Sequence, residues 1–327
     1  MGKSGAIKMD YNASVNRFHR RADHCAGRIL MDQLPPHRVF FARLVTSAAG
    51  AARNERLFDA FATTPREKYL GPGPWKIFAG GSLIETPSDD PVFLYQDVVV
   101  SLAPDRHINN GQPVLHAMCL SALNILPGEK ILHIGAGTGY YTVILAKLTG
   151  PSGSVEAYEI ENDLAARATN NLTDQPNVAV HTRNAAEGPL PPCDVIYVNA
   201  GATGPLRTWL DALRPGARLL FPLTPADGPG GTPGAGAMLL VTRPLLQTDP
   251  GTPEPASPRD PAKKFAARFL SAAMFIPCVG ARDDATAAKL AEAFKRGDAR
   301  NVRSLHRHAP PDNTAWVSGD DWWLSTS

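Results

Sequence analysis

The residues best placed to do chemistry lie in ILHIGAGTGYY, where an apolar strand runs into Gly135-Ala136-Gly137-Thr138-Gly139 and then into a helical pattern. Glycines at this spacing permit a tight turn and close approach of a ligand to the backbone, and the following helix presents free N–H groups to an anionic group. Twenty residues past Gly139, Glu159 ends the strand VEAYE, where a carboxylate can accept hydrogen bonds from both hydroxyls of a ribose. A nucleotide-like ligand is implied. The dinucleotide fingerprint needs GxGxxG, whereas this loop is GxGxG with Tyr140 where the last glycine would fall, which favours S-adenosylmethionine over NAD. A glycine turn that binds nothing is the competing reading; the agreement of loop, strand and acidic residue argues against it.

Asn184-Ala185, after the strand 178–182, either bracket the adenine or form a solvent-facing turn. Asn199, ending DVIYVN, lies at the carboxyl edge of the sheet, where such folds bind ligands, or simply turns the chain. His133, Ala136, Thr138, Tyr140 and Ile160 complete the candidate cofactor set. The sequence shows no Ser/His/Asp arrangement, HExxH or metal cluster, and that is what methylation of a carboxylate predicts, since the acceptor is already ionised and needs no strong base.

These residues require a sheet whose strands end together. From Pro113 to about Leu223, strand and helix patterns alternate, the signature of an α/β fold with a doubly wound, mostly parallel sheet. The pattern predicts helices over 114–126, 140–148, 162–172 and 205–213, and strands over 130–134, 154–159, 178–182, 194–199, 218–222 and 237–242. Residues 1–75 read as a helical preface, with Val39, Phe40, Leu44 and then Leu57, Phe58, Phe61 near helical spacing. It ends at LGPGPW, and 80–91 reads as loop with short extended pieces. Two Pro/Gly-rich stretches, 224–236 and 247–261, read as loops flanking an antiparallel pair; a helix over 285–296 and a tail follow. The expected organisation is an N-terminal region, 1–112, covering the site, a methyltransferase domain over 113–280, and a C-terminal extension, 281–327.

Composition narrows the function classes. The 327 residues, 43% hydrophobic, can bury a substantial core. Thirty-three basic against 31 acidic residues leave a net charge of +2, so no global field points to nucleic acid or an anionic membrane. Cys25, Cys119, Cys193 and Cys278 are scattered without zinc-ligand spacing. There is no apolar stretch of signal-peptide or membrane-span length. The expectation is a cytoplasmic protein with no metal, nucleic-acid or membrane partner.

Several stretches together resemble one family, the protein-L-isoaspartate O-methyltransferases. They are RLFDAFATTPREKYLGP, QPVLHAMCLSALNILPGEKILHIGAGTGYYTVILAKLTG and CDVIYVNAGATGPLRTWLDALRPGARLLFPL, with AMLLVTRP and RFLSAAMFIPCVG similar to the family's last two strands. The resemblance implies a single α/β domain with an N-terminal extension over the cofactor. The implied reaction is methyl transfer from S-adenosylmethionine to a carboxylate, leaving S-adenosylhomocysteine; in the repair enzymes the acceptor is an isoaspartyl residue, and the ester collapses to a succinimide. It assigns Gly135, Gly137 and Gly139 to the cofactor loop, Glu159 to the ribose and Asn184-Ala185 to the adenine. A protein or peptide substrate follows. A small-molecule O- or N-methyltransferase and a non-catalytic cofactor-binding protein are the alternatives.

The sequence departs from the family before the core helix. Repair enzymes have an isoleucine, a serine, a short residue and a proline there, the serine touching the substrate carboxylate region; here the stretch is HINNGQPVLHA, with Gly111 where the serine aligns. Asn109, Asn110 or N–H groups around Gly111 are the candidate carboxylate contacts, with a structural Asn-Gly turn as the alternative. His133 stands where an acidic residue is common and reads as a buried histidine in a hydrogen-bond network. Toward the C-terminus, Arg300, Arg303 and Arg307 with the neighbouring histidines read as a solvated helix face or a dock for an acidic peptide, and Trp322-Trp323 as core packing.

Overall fold

The computed structural model describes residues 33–225, 234–245 and 263–327. Cys25 and most of the two Pro/Gly-rich stretches lie outside the described residues. The preface forms α1 (Pro36–Ala48), α2 (Glu55–Ala62) and α3 (Glu67–Leu70). Pro36 opens α1 where its missing N–H is harmless, and Asn54 caps α2 by accepting from the Leu57 N–H. Strands β1 (Lys76–Ala79), β2 (Ser82–Glu85), β3 (Val99–Ala103) and β4 (Ile108–Asn109) then make a small antiparallel sheet in the order β2-β1-β3-β4.

The core follows as α4 (Pro113–Leu123), β5 (Lys130–Ile134), α5 (Tyr140–Thr149), β6 (Ser154–Glu159), α6 (Asn162–Asn171), β7 (Val178–Thr182), β8 (Cys193–Val198), α7 (Arg207–Ala212) and β9 (Leu213–Leu223). It continues with β10 (Gly234–Thr242), β11 (Lys264–Phe275), α8 (Asp284–Lys295), β12 (Ser304–Arg307), β13 (Ala315–Ser318) and β14 (Trp322–Ser325). All from β5 onward join one sheet, ordered β13-β14-β12-β11-β10-β9-β8-β5-β6-β7. Strands β7-β6-β5-β8-β9 run parallel, and β10 to β14 extend them antiparallel. The winding reverses between β5 and β8, which leaves a crevice at their carboxyl ends, the position where ligands bind in such sheets.

Two apolar clusters sandwich this sheet. One joins α1, α2, α4 and α5 to one face; the other joins α7, α8 and the C-terminal strands to the opposite face. Helix α5 is buried on nearly every side, including Tyr140, Tyr141, Val143, Ile144 and Leu145, because the preface covers the surface that would otherwise meet water. Helix α4 is held at both ends. Asp97 accepts from the Val114 N–H at 2.8 Å, and Arg218 donates to the carbonyls of Leu123 and Asn124 while pairing with Glu129 at 2.6 Å, a cation where the helix dipole favours one.

Some expectations are corrected. Helix α4 stops at Leu123, not 126, because Asn124 turns left-handed at φ 46°. Helix α7 is shorter than 205–213, and β9 starts at Leu213 rather than 218. Residues 234–236, read as loop, are strand. The C-terminal arginines are not a solvated helix face: Arg300 lies in a 3-10 turn, and Arg307 sits on β12, buried, with its guanidinium 2.7 Å from Asp211. Its strand pairs with β11 and β14, which turns the side chain toward α7. Trp322 and Trp323 are buried in β14. Among the described residues no helix is long and apolar enough to cross a membrane.

Candidate active site

Three strand ends build the site. After β5, Gly135, Gly137 and Gly139 all adopt positive φ, at 77°, 56° and 94°, which side chains rarely tolerate. The Gly135 and Ala136 N–H groups donate to the Tyr158 carbonyl, and Asn171 supports the Thr138 carbonyl from α6 at 2.9 Å. Gly139 caps α5, and a Cβ there would lie 2.8 Å from Leu172. Glu159 at the end of β6 accepts from the Gly137 N–H at 2.6 Å and the Glu161 N–H at 3.0 Å. Burial raises its carboxyl above the usual glutamate range, and the backbone N–H bonds oppose that shift. Each carboxylate oxygen keeps a lone pair for a hydroxyl ligand.

A cavity of about 970 Å³ opens over these residues. At one end it is lined by Gly135, Ala136, Gly137, Thr138, Tyr140, Glu159, Ile160, Asn184, Ala185 and Asn199, and at the other by Asn109, Asn110 and Gly111. The sequence-derived candidates therefore converge on one space, with two exceptions. Gly139 and His133 do not border it. Gly139 backs the loop against α6. His133 is fully buried beneath the loop, its Nδ1 2.9 Å from Thr142 Oγ1 and its Nε2 2.7 Å from Asn199 Nδ2. Burial pushes its pKa down to about 3, so the ring is neutral and reaches the cavity only through Asn199.

The Asn-Gly segment is tightly built. Asn109 Oδ1 accepts from the Gly111 N–H at 2.9 Å, and buried Asn110 accepts from the Val100 N–H at 2.8 Å. Asn110 Nδ2 has no partner among the described residues. Asn184 is likewise half-committed to its own turn, accepting from the Ala186 N–H at 3.0 Å.

Sequence reasoning missed His116, which lines the cavity beside Gly111. Its Nδ1 is 2.7 Å from the Tyr197 hydroxyl, and its ring stacks on Tyr141 at 3.6 Å. The available signal was a lone histidine one turn into an otherwise apolar helix. It also missed Phe275 and Met274 of β11, which line the same cavity.

The cavity has the features an adenosyl sulfonium ligand needs: a side-chain-free loop at Gly135 and Gly137, an acceptor carboxylate at Glu159, and Asn199 Oδ1, buried without a partner among the described residues. Comparisons agree. The family profile for protein-L-isoaspartate(D-aspartate) O-methyltransferases matches residues 84–228. The chain is 27% identical over 227 residues to a protein-L-isoaspartate O-methyltransferase of Brucella anthropi, covering 69% of this chain and 86% of the relative. It is 32% identical over 123 residues to protein-L-isoaspartate O-methyltransferase 1 of Arabidopsis thaliana, covering 34% of this chain and 54% of that one. A solved protein-L-isoaspartate O-methyltransferase superposes with a TM-score of 0.55 at 18% identity, over 87% of this chain and 86% of the other. A putative Plasmodium falciparum homologue, in complex with S-adenosyl-L-homocysteine, gives 0.50 at 16% identity, over 72% and 98%. At these identities the two structures speak for the fold alone. Residues 84–228 thus match the protein-L-isoaspartate O-methyltransferase profile, and over 69% of its length the chain is similar to a protein of that name.

Proposed function

We propose that this chain methylates a carboxylate of an isoaspartyl or aspartyl residue in a protein or peptide, using S-adenosylmethionine. The observation that carries the reading is the continuity of one cavity from the glycine loop and Glu159 to the Asn109–Asn110–Gly111 turn. When bound, the cofactor supplies an electrophilic methyl group on a sulfonium. Gly135 to Gly139, Glu159, Ile160, Asn184, Ala185 and Asn199 are the residues that would hold it, with His133 fixing Asn199 from behind. At the acceptor end the chain need not remove a proton, because a carboxylate is ionised at neutral pH. It must orient and desolvate that group. The acidic side chains lining the cavity are Glu159 and Glu161, and Asp97, beside the Asn-Gly segment, is engaged by the Gln112 amide and the Val114 N–H.

The reaction unit would span 113–280, roofed by the N-terminal region and buttressed by the C-terminal strands. A cytoplasmic setting is supported by the described thiols, Cys119, Cys193 and Cys278, all buried and unpaired. The test is methyl transfer from labelled S-adenosylmethionine to two peptides differing only in isoaspartate against aspartate. Base-labile label on a peptide is the expected result. Base-stable label on a small acceptor would replace this reading with O- or N-methylation, and bound cofactor without any transfer would reduce the chain to a binding protein.

A further inference from the structure

At the acceptor end two polar atoms take no part in the fold's own hydrogen bonding among the described residues, Asn110 Nδ2 and His116 Nε2, and the second belongs to no group already assigned. His116 is 2% exposed, yet its ring lines the cavity. Among the described residues Nε2 meets no hydrogen-bond partner, whereas Nδ1 is engaged by Tyr197. The Nε2 edge lies where a side chain at position 111 would be: a Cβ built on Gly111 would sit 2.1 Å from Nε2. Gly111 also has φ 73°, a conformation that disfavours a side chain. Residue 111 and His116 therefore compete for one volume, and the imidazole occupies it.

We propose that His116, through Nε2–H, donates the hydrogen bond that holds the acceptor carboxylate, in place of a side chain at position 111, and so determines which acceptors this chain takes. The assignment rests on the carboxyl-methylation reading above. The assignment requires the ring proton on Nε2. The Tyr197 hydroxyl is buried against Nδ1 at 2.7 Å, with Cys119 as its other side-chain partner; with the hydroxyl donating to Nδ1, the ring proton lies on Nε2, which makes that atom a donor. Burial, with His133 and Arg66 nearby, holds His116 well below the usual histidine range. The ring thus meets the carboxylate as a neutral donor and leaves the negative charge on the acceptor oxygens. Stacking on Tyr141 and the anchored ends of α4 fix the imidazole before an acceptor arrives.

The test compares wild type, His116→Leu and His116→Gln, the glutamine amide keeping an N–H near the original donor. Transfer to the isoaspartyl peptide, S-adenosylhomocysteine affinity and histidine nitrogen resonances are measured on each full-length protein. The expected result is a KM for the peptide raised about 10- to 100-fold in His116→Leu, the loss of one hydrogen bond to a charged group. Cofactor affinity stays unchanged, His116→Gln recovers most of the loss, and the wild-type ring is protonated at Nε2. An unaltered KM in His116→Leu overturns the assignment. So does a glutamine variant as impaired as leucine, or a ring protonated at Nδ1. If the leucine variant also loses cofactor binding, the glutamine variant and the resonances decide. A wild-type protein that binds cofactor but labels neither peptide overturns the carboxyl-methylation reading itself, and that is seen before any variant is made.

Discussion

Glu159 ties the glycine loop through Gly137 and, on the proposed reading, also offers acceptors to a ribose. Replacing it with glutamine keeps one acceptor but loses the charge, so S-adenosylhomocysteine affinity should fall about 10- to 100-fold, the range for a hydrogen bond to a charged group. Calorimetric titration checks it. Because burial raises this carboxyl, affinity should be full above the raised pKa and decline as pH falls through it. That decline begins at a higher pH than an ordinary glutamate would show, and Glu159→Gln should flatten it. Gly111→Ser places a side chain at φ 73° and into the imidazole edge. It should therefore lower thermal stability by about 1–3 kcal/mol and weaken peptide methylation rather than enhance it, as melting curves and the peptide assay would show.

Elements differ in how much of them a sequence reveals. Strands β5, β6 and β7 were legible to the residue, since the first is a largely apolar run ended by the glycine loop and the second, SVEAYE, mixes apolar and polar residues between breakers. That the residues proposed for the cofactor would share one cavity was legible too, because they sit on loop and strand ends that the pattern locates. Strands β12, β13 and β14 were not. Each has four residues, and SLHR shows no apolar alternation; they exist because the edge of β11 offers a ladder. His116 escaped for a related reason: its meaning lies in proximity to Gly111, Tyr141 and Tyr197, and a helix pattern records no such contact. Asp211 and Arg307 join α7 to β12, the arginine buried and the aspartate half exposed. Asp211→Ala should destabilise by about 1–3 kcal/mol, discounted from a fully buried pair because solvent reaches the aspartate; urea unfolding measures it.

Across the whole molecule, the C-terminal segment is structural: Leu290, Leu305, Trp316 and Leu324 pack into the cluster that also contains Leu239 and Phe265. A chain ending after Gly280 should lose cooperative unfolding, read by circular dichroism, since that face of the sheet would meet water. The intact protein should gain roughly 2.7 kcal/mol when S-adenosylhomocysteine is present at 100 times its Kd, seen as a raised Tm. The reverse also holds for reactivity. Burial pushes the Cys119 and Cys278 thiols up to about 12, so thiol reagents should reach them only as the fold opens. The shared volume of Gly111 and His116 bears on descent as well as binding. A side chain at position 111 requires the His116 ring to give way, so a histidine at 116 is accommodated at least cost where residue 111 is already glycine, and a side chain regained at 111 then carries the stability cost predicted for Gly111→Ser.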